Sequence, residues 1–284
     1  MGLRLLERAW DPDSVANADW FWANASTAVL LDGAAPRGSE RVSEAADDTV
    51  WLVRRFVEAF VAAGAGGVCE RVERARARLK RQYDALCARA GLTPDEPPFA
   101  CLAIAELSEA QLDLFNMGDL TTLVRLKDGS LQRFGESAVR ELDGRALAEM
   151  RRYLAAGVEP HAERRVRIWP LIKANREQRN RLPGYDVLDL SAGGADRFEH
   201  RRFEASQVRD VLMLSDGFYR LVDTFERYTD STLFQAVEQR GLAALLGELR
   251  ELERSDPECS QHVRFKAHDD ATALWLAVEA TVVA

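Results

Sequence analysis

The chain has 284 residues, 47% of them hydrophobic, and a formal net charge of −8. It can therefore bury one substantial core, but it lacks the surplus of Lys and Arg that a nucleic-acid partner favours. There is no apolar run of about 18 residues for a membrane span, no secretory stretch and no C-x-x-C spacing, so we expect a soluble, cytoplasmic protein without nucleic-acid or membrane partners.

The first predicted elements are a buried strand and two long helices. Thr27 to Leu31 is a compact apolar run that ends at Asp32-Gly33, a turn signal. Apolar residues then recur at helical spacing from Ser43 to Ala63. A second amphipathic helix is predicted from about Val68 to Ala90, because Gly91 follows it directly.

The middle of the chain alternates between short apolar strands and helices. Asp128-Gly129 is a two-residue hairpin signal between the last two of the first four strands. Those strands are Phe99 to Leu107, Gln111 to Met117, Thr121 to Leu126 and Leu131 to Phe134. Helices are predicted at about Gly144 to Ala156 and Glu163 to Arg179.

The C-terminal third contains further strands around one interrupted helix. Strands are predicted near Asp186 to Leu190, Phe198 to Glu204, Asp210 to Leu214 and Thr272 to Val278. The helix runs from Thr229 to Arg254, with Gly241 as its interruption. Runs of antiparallel strands that are separate from runs of helices predict an α+β layered sandwich. Since no linker divides the chain, we expect one domain over residues 1–284.

Aspartates at strand ends are the most informative pattern. Asp32, Asp119 and Asp216 each follow an apolar strand, and Asp269-Asp270 directly precede one. Any single Asp-Gly is usually an ordinary turn. Four strand-terminal carboxylates in one chain instead favour a site for hard divalent cations, which prefer oxygen ligands.

The same residues lie in motifs whose order resembles that of the metal-dependent protein serine/threonine phosphatases, the PPM or type 2C family. The resemblance covers about residues 10 to 280, and its most specific parts are the Ser-Asp-Gly and Asp-Asp-Ala-Thr elements. The motifs are Asn17-Ala18-Asp19-Trp20, VLLDGA around Asp32, NMGDLTTLVRLKDG around Asp119, DVLMLSDGFYRLV around Ser215-Asp216-Gly217, and HDDATALWLAV around Asp269.

The resemblance implies a role for each matched residue. Asp32 would bridge two metals, the Gly33 carbonyl would complete the coordination of one, and Asp216 and Asp269 would hold the first. Asp119 would help to bind a third, looser ion. Asp19 would hydrogen-bond metal-bound water and act in catalysis with Asp32, while Asp270 and Ser215 would support the site.

The resemblance also implies a fold and an activity. The fold is a four-layer αββα sandwich of two antiparallel sheets flanked by helical pairs, with a variable flap-like segment at about residues 157–183. The activity is hydrolysis of phosphate monoesters, above all phosphoserine or phosphothreonine in proteins during signalling, by metal-bridged water. Two or three Mn²⁺ or Mg²⁺ ions would be bound. A serine/threonine kinase is the implied partner.

Departures from the family pattern leave alternatives open. The Arg that pairs with substrate phosphate is replaced by Ser14, with Arg8 and Arg37 as candidate substitutes, and the loop after Gly33 lacks a histidine. These changes favour a binding or regulatory module with little or no turnover, whereas the retained Asp32, Asp119, Asp216 and Asp269 oppose it. A third alternative is the same metal chemistry on a small phosphorylated metabolite. The basic runs Arg71 to Arg81 and Glu159 to Arg181 are interpreted as solvated helix faces, with docking of a phosphorylated protein as the alternative.

Overall fold

The computed structural model describes residues 1–11, 17–34, 40–108, 110–135, 138–190 and 197–279. Within these ranges the chain forms eleven strands and seven α-helices. The strands are β1 (Gly2–Trp10), β2 (Trp20–Ala23), β3 (Thr27–Ala34), β4 (Phe99–Leu107), β5 (Gln111–Met117), β6 (Thr121–Leu126), β7 (Leu131–Phe134), β8 (Leu188–Asp189), β9 (Glu199–Glu204), β10 (Val208–Leu214) and β11 (Thr272–Glu279). The helices are α1 (Asp48–Ala62), α2 (Val68–Ala90), α3 (Ala138–Ala155), α4 (His161–Arg176), α5 (Asp216–Asp223), α6 (Asp230–Arg240) and α7 (Leu242–Ser255).

The strands form two antiparallel sheets that pack face to face. The first sheet has the order β1-β11-β10-β6-β7, and the second has the order β2-β3-β4-β5-β9 with β8 beside β4. Successive side chains alternate between the two faces of a strand. Leu30 and Ala103 of the second sheet therefore meet Val211 and Leu274 of the first in one buried cluster.

Helices cover the outer face of each sheet. On the second sheet, Phe56 of α1 and Leu79 of α2 pack in one cluster with Leu102 of β4. On the first sheet, Phe218 of α5 and Leu245 of α7 pack with residues of β6 and β10. Full burial of side chains of this size contributes about 1.5–3 kcal/mol each. The layers therefore run helix, sheet, sheet, helix, and the predicted α+β sandwich is confirmed.

Local sequence signals explain several element boundaries. Helix α2 ends as predicted because Gly91 adopts φ 62°, a left-handed C-cap. The Asp128-Gly129 hairpin is also confirmed, with Gly129 at φ 88° between paired strands β6 and β7. Helix α1 begins at Asp48 rather than near Ser43, because the Asp47 carboxylate accepts from the Val50 N–H and caps it there.

Three elements were missing from the sequence prediction. They are the strands β1 and β2 and the helix α5. Helix α3 also begins at Ala138, before the Gly144 at which a helix was predicted to start. In α5, the chain turns from β10 directly into a helix at Asp216, where an acidic side chain is favourable beside the helix N-terminus.

Helices α3 and α4 pack against each other and against the segment that leads into β11. Met150 of α3 and Ile168 of α4 are buried, and the partly buried Val263 and Phe265 pack against them. The flap-like segment predicted at about 157–183 contains α4, but its role and the single-domain organisation stay predictions.

None of the helices in the described ranges is both long and apolar enough to cross a membrane.

Candidate functional site

Four elements bring acidic residues to one end of the two sheets. Asp32 lies near the end of β3, in register with Cys101 of β4. Asp119 lies in the turn between β5 and β6, after Gly118 at φ 88°. Asp216 is the first residue of α5, and Asp269 lies just before β11. A Cβ at position 118 would lie 2.2 Å from the Cys101 sulfur, so this turn requires glycine.

These residues line one cavity of about 340 Å³, which we name the aspartate cavity. Its walls include Asp32, Gly33, Asp119, Asp216 and Asp269. Helices α3 and α4 close the opposite side with the side chains of Val139, Leu142, Asp143, Arg165, Trp169, Ile172, Asn175 and Arg176. A larger groove of about 740 Å³ shares Asp119, Asp143 and Asp216 with it and continues along α3. The strand-end aspartates predicted from the sequence thus share one concave surface.

The Asp32 carboxyl group is the centre of this acidic cluster. The backbone N–H of Asp216 donates to Asp32 Oδ2 across 3.4 Å. Burial raises the pKa of Asp32 well above its usual value, and the nearby charges of Asp216, Asp19 and Asp119 raise it further. Like charges at such proximity disfavour simultaneous ionisation unless a cation joins them.

Asp119 has a mixed environment. The Cys101 thiol donates to Asp119 Oδ1 across 3.1 Å, and Arg140 of α3 donates to the Asp119 carbonyl across 3.1 Å. Burial and the charge of Asp216 raise the pKa of Asp119 to about 6, although the thiol and Arg140 act in the opposite direction.

Asp19 lies behind the cavity wall and is fully buried. Neither of its carboxylate oxygens accepts a hydrogen bond from the described residues. Burial and the charges of Asp270 and Asp216 raise its pKa well above the usual value, against the effect of the hydroxyl groups of Thr272 and Ser215 nearby. A buried carboxylate without a partner is costly, so this group indicates a ligand or ordered water in the functional state.

Backbone contacts hold the remaining predicted residues around this cluster. The N–H of Gly33 donates to the Ala18 carbonyl across 3.1 Å, and a Cβ at Gly33 would lie 2.4 Å from the Thr49 methyl carbon. Asp270 Oδ2 accepts from the Ala18 N–H at 2.9 Å. Ser215 Oγ accepts from the backbone N–H of Thr272 at 2.9 Å, joining the ends of β10 and β11.

Asp269 differs from the other aspartates because two cations already pair with it. Arg220 of α5 donates to its Oδ2, and the Lys266 ammonium group donates to its Oδ1. Burial acts to raise the pKa of Asp269, but Lys266 and Arg220 outweigh that effect and hold the pKa below its usual value. Asp269 is therefore an ionised carboxylate.

The donor chemistry of the site fits hard divalent cations. Its candidate ligands are carboxylate oxygens and a backbone carbonyl, which Mg²⁺ and Mn²⁺ prefer. The unpartnered oxygens of Asp19 and the crowded charges around Asp32 both point to a missing positive charge. Within the described ranges, however, no three His, Cys, Asp or Glu side chains already surround a single point as a metal would require.

Sequence reasoning missed several residues of the cavity. Asp143 of α3 lies among its walls, and burial together with Asp119 and Asp216 raises the pKa of Asp143 to about 8. The Asp143-Gly144 pair carries the same Asp-Gly signal as Asp32-Gly33, but it lies inside a helix rather than at a strand end. Nothing in the local sequence distinguishes Lys266, since its position follows from the turn before β11.

Other sequence candidates lie elsewhere. Arg8 stacks over the Phe21 ring at 5.2 Å and does not line the aspartate cavity. Ser14 and Arg37 fall outside the described residues. His268, the residue before Asp269, also does not line the cavity, because its ring lies 3.1 Å from Glu253.

The two basic runs have different environments. In α2, Arg74 pairs with Glu70 on an exposed face, as predicted, whereas Arg76 is buried and pairs with Glu73. In α4, Arg165 and Arg176 line the aspartate cavity. The second run therefore contributes to the candidate site, beyond the solvated face that was favoured from the sequence.

Comparisons with known proteins agree with this geometry. The family model of protein phosphatase 2C matches residues 12–250. A search among curated protein sequences gives no match. The catalytic domain of the serine threonine protein phosphatase PstP, in complex with two manganese ions, is 17% identical over 98% of this chain and 99% of its own, with a TM-score of 0.57.

Two further solved structures are similar. The Mycobacterium tuberculosis serine/threonine phosphatase PstP/Ppp is 16% identical over 99% of this chain and 100% of its own, with a TM-score of 0.57. The serine/threonine phosphatase Stp1 from Staphylococcus aureus is 12% identical over 98% of this chain and 96% of its own, with a TM-score of 0.55. At these identities the structures show a shared fold.

Proposed function

The chain belongs to the protein phosphatase 2C family, and we propose that it hydrolyses phosphoserine or phosphothreonine esters of a protein at the aspartate cavity. The observation that carries this proposal is the meeting of Asp32, Gly33, Asp119, Asp216 and Asp269 on one concave surface. Family membership implies metal dependence and a phosphoprotein substrate.

The residues of the cavity would hold two divalent cations, Mn²⁺ or Mg²⁺. Asp32 would contact both, the Gly33 carbonyl would contact one, and Asp216 and Asp269 would contact the other. Asp119 would contribute to a third, weaker site. When bound, such ions lower the pKa of water and offset charge on a phosphoryl group during in-line displacement.

The protein itself would orient and shield the reacting groups. Neither carboxylate oxygen of Asp19 has a hydrogen-bond partner among the described residues, so Asp19 would accept hydrogen bonds from water bound beside Asp32. Helices α3 and α4 narrow the cavity to about 340 Å³, which admits a phosphorylated side chain rather than a folded surface. Trp169 and Phe265 provide apolar walls for the carbon chain of that residue.

The biological partners follow from the same proposal. We expect the substrate to be a phosphoprotein and the opposing enzyme to be a serine/threonine kinase in the cytoplasm. Arg165 on the cavity wall favours an anionic substrate, while Arg176 beside it pairs with Glu96 at 3.1 Å.

Hydrolysis of p-nitrophenyl phosphate tests the activity directly. We expect turnover that requires added Mn²⁺, stops with EDTA and disappears in Asp216→Ala, but persists in Asp84→Ala, a control whose carboxylate pairs with Lys80 on the exposed face of α2. Phosphoserine and phosphothreonine peptides then test the substrate class. Metal binding without turnover would instead favour a binding module, and absence of metal binding by calorimetry would contradict the ligand assignment.

A further inference from the structure

Lys266 places a positive charge on a proposed metal ligand. It lies three residues before Asp269, and its ammonium group donates to Asp269 Oδ1. The same oxygen accepts from the Asp270 N–H across 3.1 Å. Since Lys266 also lines the aspartate cavity, its ammonium group lies where the proposed site requires a cation.

The two cations on Asp269 are held very differently. Arg220 has a side chain only 8% exposed, donates also to Glu253 Oε1 at 3.0 Å and to the Lys266 carbonyl at 3.3 Å, and is fixed on α5. The Lys266 side chain is 43% exposed, and Asp269 is its one acidic partner among the described residues. Because the Lys266 side chain reaches solvent and its stem is flexible, Lys266 can leave Asp269, whereas Arg220 is held by its further acceptors and cannot.

The orientation of Asp269 decides which oxygen is available to a metal. Because buried Arg220 holds Oδ2, a divalent cation has access to Oδ1, the oxygen that Lys266 occupies. Two cations on one oxygen repel each other, so the ion and the Lys266 ammonium group compete for Asp269 Oδ1.

We propose that Lys266 is a displaceable counter-ion of Asp269, an inference that rests on the proposed metal site. Lys266 neutralises Asp269 Oδ1 in the metal-free protein and leaves it when a divalent cation binds. The freed ammonium group stays within the aspartate cavity and there binds the phosphate of the substrate. It thereby supplies the positive charge of the phosphate-pairing Arg that Ser14 replaces in this chain.

The test compares Lys266→Met with Lys80→Met, a lysine that pairs with Asp84 on α2 at a similar exposure of 46%. Calorimetry measures Mn²⁺ binding without substrate, and inhibition by inorganic phosphate is measured at saturating Mn²⁺. Lys266→Met should bind Mn²⁺ about fivefold more tightly and phosphate about tenfold more weakly than the wild type. Lys80→Met should change neither constant. Lys266→Gln, which keeps a polar head, serves as the second variant if Lys266→Met folds poorly.

Opposite changes in the two constants are the signature of displacement, because a purely structural lysine would weaken both. If wild type binds Mn²⁺ and both Lys266 variants bind it no more tightly, the counter-ion role is wrong while the metal site stands. If phosphate inhibition is unchanged in them, the phosphate-binding role is wrong. If neither wild type nor variants bind Mn²⁺, the metal site itself fails and the inference with it.

Discussion

The buried carboxylates beneath helix α7 form ion pairs with arginines, whereas the carboxylates of the aspartate cavity lie mainly beside one another. Asp256 pairs with the buried Arg264 at 2.8 Å and accepts three backbone N–H groups. Burial acts to raise the pKa of Asp256, but these N–H groups and Arg264 lower it to about 2. Burial and neighbouring aspartates instead raise the pKa of Asp32 well above its usual value.

The difference shows which carboxylates hold the fold together and which await a ligand. A paired buried carboxylate stabilises the native state, while crowded ones destabilise it unless they are protonated or bound to a cation. Asp269 belongs to both regions, because Arg220 connects it to Glu253 while its other oxygen faces the cavity. In the metal-free protein, the ion pairs under α7 thus offset the repulsion between the aspartates of the cavity.

The largest expected effect is on catalysis in Asp32→Asn. This change removes the charge at the centre of the cluster while it keeps the side-chain shape, so kcat/KM with Mn²⁺ should fall by about 10³-fold or more. Without metal, the same variant should be at least as stable as the wild type in urea unfolding, because a repulsive charge is gone. Lower metal-free stability together with normal turnover would contradict the distinction between the two regions.

Arg264→Met should have the opposite effects, a large loss of stability and a smaller change in activity. It leaves Asp256 buried without its cation, which costs about 3 kcal/mol in the free energy of unfolding. The specific activity of the folded fraction should fall far less than in Asp32→Asn, because Arg264 lines the adjoining groove but not the aspartate cavity. Urea unfolding and activity per folded molecule check both parts, with Arg254→Met on the exposed end of α7 as the control. An activity loss as large as that of Asp32→Asn would contradict a purely structural role.

Much of the fold is encoded in short-range patterns. Helix α2 was predicted to the residue, because its apolar stripe is continuous and Gly91 ends it. Strand β1 was missed because Arg4, Glu7 and Arg8 interrupt the alternation of apolar and polar residues. The strand is defined instead by its pairing with the distant β11. Helix α5 was missed because it has only eight residues and begins at Asp216-Gly217, a pair that favours a turn.

The site was predictable where a motif lies at a strand end, and less so where tertiary packing creates it. Asp119 was predicted in a turn and lies in one, while Asp32 lies inside β3 rather than beyond its end. Asp143 and Lys266 were missed because α3 and the turn before β11 bring them to the cavity from distant parts of the chain. The catalytic and metal-binding roles of the predicted residues stay predictions that the variants above test.

The pH dependence of stability should also separate the two regions. Asp119, whose pKa is raised to about 6, and Asp32, whose pKa is raised further by its neighbours, bind protons more tightly folded than unfolded. Their contribution to metal-free stability should therefore be fully present below the unfolded pKa of about 4 and should be lost as the pH rises through 6. Mn²⁺ at 100 times its Kd should restore about 2.7 kcal/mol at pH 7.

Thermal unfolding with EDTA or Mn²⁺ at pH 5 and pH 7 measures this effect. Asp256 contributes oppositely, since its lowered pKa of about 2 gives stability above pH 4 that is lost as the pH falls toward 2. A metal-free protein that gained stability between pH 5 and pH 7 would show that the aspartates of the cavity are not crowded in solution.

The smallest expected effect concerns the thiol beside Asp119. Cys101 donates to Asp119 Oδ1, and this hydrogen bond lowers the pKa of Asp119. Cys101→Ala removes the donor, so the pKa of Asp119 should rise above about 6 and half-maximal Mn²⁺ binding should move to higher pH by a few tenths of a unit. Calorimetric titration with Mn²⁺ between pH 5 and pH 8 measures the shift, with Cys87→Ala on α2 as the matched control. An unchanged midpoint would mean that the ion and protons do not compete for Asp119. The ion would then be bound by Asp32, Asp216 and Asp269.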